Sequence, residues 1–311
     1  MAIHPSFTII APIYGVQNYI VKCAESLLGQ TYDNIQFVFV NDGTKDSSID
    51  LLEELIDERY SSLKDCIVIV NKENQGLPAA RKTGMEYATG DYILHVDSDD
   101  WMETDAISKL AAKAEETDAD VIYFDFYKEY SKRSKLDKER DYDTQSKLRF
   151  IWGLFNYKAY GYVWNKCTKR SLYDEYDIRF PSYGMHEDIF LMSQLLYHAG
   201  SIVHLPAALY HYRRDNPGSI SAAKRKNRRH DSALNMMDLY VRYMDDLQNS
   251  PICDSYGEIL FRTGWLSIRY GFGFFEKFPF LAQKIRKQPL SFRNKTFILW
   301  QLITRIYAFC R

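Results

Sequence analysis

The chain has 311 residues, 46% of them hydrophobic and 26% charged, which suits one large or two modest globular domains with a substantial core. A formal net charge of −1 removes the global basic field that nucleic-acid binding needs, so no nucleic-acid partner is expected. The five cysteines, Cys23, Cys66, Cys167, Cys253 and Cys310, are odd in number and form no CxxC pair, which argues against a zinc site or disulfide framework and for a reducing, cytoplasmic compartment.

Residues 7–13 form a short apolar run, and 19–28 has helical spacing. A second apolar, β-branched run covers 35–40. Residues 47–59 are amphipathic, with Ile49, Leu52, Leu55 and Ile56 on one face. Strands are then predicted at 67–70, 92–96 and 121–127, and helices at 77–88 and 106–116. Apolar strands alternating with helices predict an α/β fold, with a Rossmann-like, mostly parallel sheet sandwiched by helices. Ligands of such sheets bind beyond the C-terminal strand ends.

Residues 128–147 are dense in charge and read as a solvated loop or hairpin, and 150–212 is aromatic-rich and mixed. From 224 onward the pattern is helical, with 16 Lys or Arg against 7 Asp or Glu. The expected division is a nucleotide-binding half over 1–127, an acceptor-side half over 128–223 and a helical C-terminal extension over 224–311. No charged n-region precedes an apolar h-region at the N-terminus, so no leader is expected. No run of about 18 apolar residues occurs; 296–310 comes nearest but is broken by Gln301 and Arg305.

Chemistry concentrates after the strands. Val96-Asp97-Ser98-Asp99-Asp100 follows a buried strand. If the segment is extended, Asp97 and Asp99 point the same way and suit a hard cation, Mg2+ or Mn2+, bridging to diphosphate oxygens. The same residues also suit a solvated acidic turn capping the next helix. Val40-Asn41-Asp42-Gly43-Thr44 follows the second strand, where an aspartate can accept a base N–H or simply form a turn. In Asn74-Gln75-Gly76-Leu77-Pro78-Ala79-Ala80-Arg81-Lys82, Gly76 allows close backbone approach and Pro78 suits a first helical turn. Arg81 there has two readings, a phosphate contact or a pair with one of the aspartates.

These stretches, with Ile9-Ile10-Ala11-Pro12-Ile13-Tyr14 and Gly90-Asp91-Tyr92-Ile93-Leu94-His95 leading into Val96–Trp101, resemble glycosyltransferase family 2, whose nucleotide-binding half has the GT-A fold. The resemblance is strong over 6–113 and extends more weakly to about 221. It implies that Pro12, Tyr14 and Asp42 line the nucleoside pocket with Gln75 and Arg81 nearby, that Asp97 faces the ribose or the metal, and that Asp99 ligates the metal. Gly15 stands where the family usually has Asn. Tyr183-Gly184-Met185-His186-Glu187-Asp188-Ile189-Phe190 resembles the family's Glu-Asp motif, which makes Asp188 the catalytic base and Glu187 its neighbour. Read from the residues alone, a carboxylate in the first turn of a helix is held as the anion by the macrodipole, or is simply a cap. His186 has two readings, a metal ligand or a structural side chain.

Trp164-Asn165-Lys166 resembles an element of surface-polysaccharide members that shapes the acceptor side. Tyr210-His211-Tyr212-Arg213-Arg214 with Ser219-Ile220-Ser221 resembles a segment closing over the donor, which gives His211 and Arg213 diphosphate contacts. An edge strand followed by a basic loop is the alternative there. The implied reaction is metal-dependent inverting transfer, in polysaccharide biosynthesis, from a nucleotide sugar, more often a UDP-sugar, to a hydroxyl of a saccharide or lipid-linked saccharide. Basic and aromatic residues in 224–311 suit an anionic membrane surface on the inner face of the cell membrane, or a helical bundle with a solvated basic face. A non-catalytic nucleotide-sugar-binding protein would keep Asp42 and Asp97 yet lose the base, and Glu187-Asp188 argues against it. A sugar-phosphate nucleotidyltransferase is disfavoured because no Gly-rich activation loop lies near the N-terminus.

Overall fold

The computed structural model describes residues 4–142, 144–155, 158–181 and 187–219. The expected extension over 224–311, its membrane-facing residues, His186 and Ser221 lie outside the described residues.

The chain opens with β1 (Phe7–Ile13), every residue of which is buried, then α1 (Ile20–Leu28) and β2 (Ile35–Asp42). α1 buries Ile20, Cys23, Ala24, Leu27 and Leu28, the spacing of one helical face. α2 (Ser48–Arg59), β3 (Ile67–Lys72), α3 (Leu77–Tyr87), β4 (Tyr92–His95) and the two-residue β5 (Trp101–Met102) follow. After α4 (Ala106–Thr117) come β6 (Val121–Tyr130), β7 (Arg133–Asp137) and α5 (Lys147–Phe155). β8 (Lys166–Lys169), α6 (Ser171–Glu175), α7 (Glu187–His198) and β9 (Ile202–Arg213) complete the set.

The nine strands among the described residues join one sheet in the order β3-β2-β1-β4-β8-β6-β9-β5, with β7 paired to β6. The block β3-β2-β1-β4 is parallel throughout, as the alternating apolar runs predict. The other half is mixed: β8 runs antiparallel to β4 and β6, β6 is parallel to β9, and β5 and β7 are antiparallel to their neighbours. "Mostly parallel" therefore describes only the first half. The boundary expected at 127/128 falls inside β6, so the chain on either side of it belongs to one sheet. Of the two readings of 128–147, the hairpin is the one observed: β6 and β7 pair there, and Asp137 and Glu139 are buried. β9 lies between β6 and β5 and is not an edge strand.

Alternation along the parallel strands feeds two apolar layers. Ile9, Phe37, Phe39 and Leu94 face a large cluster with α1, α2 and α4. Ile10, Val38, Val40 and Ile93 face a smaller one with Ala80 of α3. Gly84 permits the close approach of α3 to the sheet, since a Cβ there would fall 2.3 Å from Ile10 Cγ2. That approach sets the height of α3, and with it the position of Arg81.

Candidate active site

Asp42 ends β2 and is 3% exposed. Its Oδ1 accepts hydrogen bonds from Lys72 Nζ (2.9 Å) and the Gln75 N–H (3.0 Å), and its Oδ2 accepts from the Gly76 N–H (2.8 Å). The aspartate thus fixes the loop before α3, while the Gln75 side chain is exposed. Pro12 is buried and its carbonyl accepts from Ser98 Oγ at 2.5 Å, whereas Tyr14 is 56% exposed. Gly15 has φ +69°, a left-handed conformation that Gly and Asn adopt most readily. Its N–H donates to Thr44 Oγ1 (2.9 Å), which joins the loops after β1 and β2.

The acidic segment after β4 is a turn and not an extended run: the Asp100 N–H donates to the Asp97 carbonyl at 3.0 Å. Folding back, and not strand alternation, is what brings Asp97 and Asp99 together. Burial and then the charge of Asp97 raise the Asp99 pKa. Tyr210 of β9 clamps the turn, accepting from the Asp97 N–H (3.0 Å) and donating to Asp100 Oδ2 (2.9 Å). Arg213 adds its N–H to Asp100 Oδ1 (2.7 Å) and its Nε–H to the Asp99 carbonyl (2.9 Å). Asn216 Nδ2 donates to Asp99 Oδ2 (2.7 Å). The sequence assigns no role to Asn216 or Lys72, and Tyr210 enters it only as the first residue of the Tyr-His-Tyr-Arg-Arg stretch. Asn216 gave no signal, being one polar residue in a polar loop, and the phenol of Tyr210 is recognisable only once β9 lies against the turn.

Arg81 holds the two sides together. Its side chain is 2% exposed; Nη2 donates to Asp97 Oδ1 (2.8 Å), while Nη1 donates to Asp188 Oδ1 (2.7 Å) and lies 3.5 Å from Glu187 Oε1. Of the two readings of Arg81, the ion pair with the aspartates is the one observed; a phosphate contact needs exposure it lacks. Burial opposes its charge, but Asp188, Asp97 and Glu187 outweigh that and keep it protonated. Burial works against the stabilisation that the macrodipole gives the Asp188 anion. Burial raises the Asp188 pKa, and the opposing pull of Arg81 does not cancel it. Glu187 is pushed up as well, by burial and then by Asp188.

Three expected ligand contacts are turned inward. Trp164 and Lys166 are each 1% exposed. Trp164 stacks on Tyr162 and Tyr210, with ring centroids 4.5 and 4.4 Å away. Lys166 Nζ donates to the carbonyls of Tyr160 (2.8 Å) and Tyr162 (2.9 Å) and to Asn165 Oδ1 (2.6 Å). Burial lowers its pKa to about 8 against the pull of Glu139 and Asp188. Both side chains are therefore packed into the core and not presented to solvent. His211 is sandwiched between Trp101 and Tyr127, each 4.9 Å away, and its nitrogens meet Glu129 (2.8 Å) and Glu103 (2.9 Å). With both ring nitrogens engaged, His211 fastens β5 and β6 to β9 and does not reach for a diphosphate. Arg213 is half-buried over the rings of Tyr19 and Trp101, beside the acidic turn.

The model of the family described as Glycosyl transferase family 2 matches residues 8–178, more than half of the chain. The chain belongs to glycosyltransferase family 2. Among its relatives, EpsH of Bacillus subtilis (strain 168), provisionally named a glycosyltransferase, is 35% identical over 214 residues, covering 67% of this chain and 61% of EpsH. The glycosyltransferase GlyA of Streptococcus pneumoniae serotype 4 is 32% identical over 231 residues, covering 71% of this chain and 32% of GlyA. The chain thus spans less than two thirds of either relative. The fold is GT-A. TarS 1-349 of S. aureus, solved with UDP-GlcNAc, aligns at a TM-score of 0.63 with 17% identity, over 85% of this chain and 82% of that one. The mannosyltransferase PcManGT of Pyrobaculum calidifontis, solved with GDP-Man and Mn2+, aligns at 0.55 with 13% identity, over 98% and 81%. Among the described residues of this family member, no helix is long and apolar enough to cross a membrane. No group of three or more His, Cys, Asp or Glu side chains there forms a ready metal cage.

Proposed function

We propose that this chain is an inverting glycosyltransferase that moves a sugar from a nucleotide sugar to an acceptor hydroxyl in polysaccharide biosynthesis. The observation that carries the reading is Arg81, whose single guanidinium joins Asp97 on the donor side to Asp188 on the acceptor side. A donor phosphate near Asp97 and an acceptor oxygen near Asp188 then share one cleft. Tyr14 and Asp42, at the ends of β1 and β2, form the nucleoside side. UDP is the favoured nucleotide, which accords with UDP-GlcNAc in TarS; GDP-Man in PcManGT keeps GDP as the comparison to run.

Asp188 takes the proton of the acceptor hydroxyl as that oxygen attacks the anomeric carbon, and the nucleoside diphosphate leaves from the opposite face. Burial raises the Asp188 pKa above that of an ordinary aspartate, which makes its carboxylate the stronger proton acceptor. Asp97 and Asp99 fit a hard divalent cation such as Mn2+ or Mg2+. They repel each other, and Arg81 and Asn216 occupy one carboxylate oxygen of each, so a cation held by the others needs its remaining ligands from phosphate and water. When bound, such an ion neutralises charge on the departing diphosphate. Asp188→Asn should lower transfer by about 10²–10⁴-fold while leaving donor affinity within a few-fold. Wild-type rates from that variant with the true acceptor would remove Asp188 from the role.

The same reading places the protein in the cytoplasm, peripheral on the inner face of the membrane, where lipid-linked acceptors are presented. The excess of Lys and Arg over 224–311 supports this. Co-sedimentation of the full chain with anionic vesicles, reversed by salt, is the expected result. No binding at moderate salt would contradict it.

A further inference from the structure

Two buried polar groups beneath the site lack partners. Arg81 spends both Nη groups on carboxylates, but its Nε makes no hydrogen bond among the described residues. His95, the last residue of β4, is 2% exposed, and neither of its ring nitrogens has a partner there. Alternation along β4 puts Ile93 and His95 on the same face of the sheet, and Ile93 packs with Ala80, the residue before Arg81 on α3. The two groups are near enough for Arg81's charge to act on the imidazole. A buried imidazole with no carboxylate partner among the described residues is the neutral form, with one N–H donor and one bare nitrogen acceptor.

An unpartnered imidazole in this position is costly, and a leucine of similar size would fill the space without the penalty. What an imidazole offers and a leucine does not is a hydrogen-bond acceptor, and the Arg81 Nε–H is the donor here that no carboxylate takes up. Buried waters typically join such groups when direct contact is not made. We propose that His95 is a positioning residue for the reaction: through one buried water it accepts the Nε–H of Arg81 and fixes the guanidinium plane, so that Nη1 meets Asp188 and Nη2 meets Asp97. Its effect on turnover rests on Asp188 being the base; its effect on Arg81 does not.

The experiment is nitrogen-15 NMR of the full chain, following the Arg81 Nε–H resonance, assigned by its loss in Arg81→Lys. The expected result is slow solvent exchange in the wild type and exchange faster by about tenfold or more in His95→Leu, with protection regained in His95→Gln, which restores an acceptor. UDP release from a panel of UDP-sugars should follow: kcat falls about tenfold or more in His95→Leu, donor KM stays within a few-fold, and His95→Gln recovers most of the rate. An unchanged Nε–H resonance in a His95→Leu protein with higher Tm would overturn the proposal, because His95 would then only fill space. Should His95→Leu not fold, His95→Met against His95→Gln makes the same comparison. If the wild type releases no UDP, the functional reading fails on its own, and the NMR arm still decides the role of His95.

Discussion

At the residue scale the account turns on a buried cation among three carboxylates. Arg81 is almost wholly enclosed with Asp97, Glu187 and Asp188 around it. Removing one partner from a buried ion pair leaves the others uncompensated, at a cost of about 3–5 kcal/mol. Arg81→Met should lose about that much stability in urea unfolding, and Arg81→Lys should keep the charge but lose the two-sided fork. An Arg81→Met protein within about 1 kcal/mol of wild type would show that the network is not held as described. Glu187 gives the network a pH signature. Burial and the neighbouring Asp188 push its pKa up to about 8 from an ordinary 4.5. The folded state therefore binds the proton more tightly than the unfolded chain does, and this contribution to stability is full below about pH 4.5 and lost as pH rises through about 8. Tm should decline across that window in the wild type and decline less in Glu187→Gln. An identical slope in both would remove Glu187 from the linkage.

At the element scale, the parallel block was legible because β1, β2 and β4 are apolar runs short enough to be strands, with α1 and α2 carrying one apolar stripe each. β8 was not legible, since Lys-Cys-Thr-Lys carries no strand pattern; it becomes a strand because β4 and β6 pair with it on both sides and three backbone and amide oxygens receive the Lys166 ammonium. The acidic turn and Asp188 were legible as residue types, but their shared partner was not, because Arg81 and Asp188 lie 107 positions apart. The inward turn of Trp164, Lys166 and His211 was also hidden, since a sequence does not say which polar side chains find partners inside. The α3–β1 contact offers a test at this scale. Gly84→Ala puts a methyl group where Ile10 already stands and should cost about 1–3 kcal/mol by overpacking. It should also weaken donor binding by moving Arg81. Unaltered stability would mean that α3 rides higher on the sheet than described.

At the scale of the whole molecule, one mixed sheet carries both halves of the proposed reaction. The parallel block ends in the nucleoside-side loops, and the mixed block supplies Tyr210, Arg213 and Asn216, which hold the acidic turn from the other side. The expected boundary at 127/128 lies within β6, so residues from beyond it, Tyr210, Arg213 and Asn216, hold the turn that follows β4. The central claim is that this framework binds a nucleotide sugar and a divalent cation together. Its most direct test is a thermal-shift screen of UDP- and GDP-sugars with and without Mn2+, on the wild type and on Asp99→Ala. A ligand at about 100 times its Kd adds roughly 2.7 kcal/mol of stability, a shift of several degrees in a domain of this size. The account predicts such a shift for one nucleotide class, larger with Mn2+ than without, and loss of the Mn2+-dependent part in Asp99→Ala. No shift of the wild type by any nucleotide sugar, or an equal Mn2+ effect in Asp99→Ala, would contradict it.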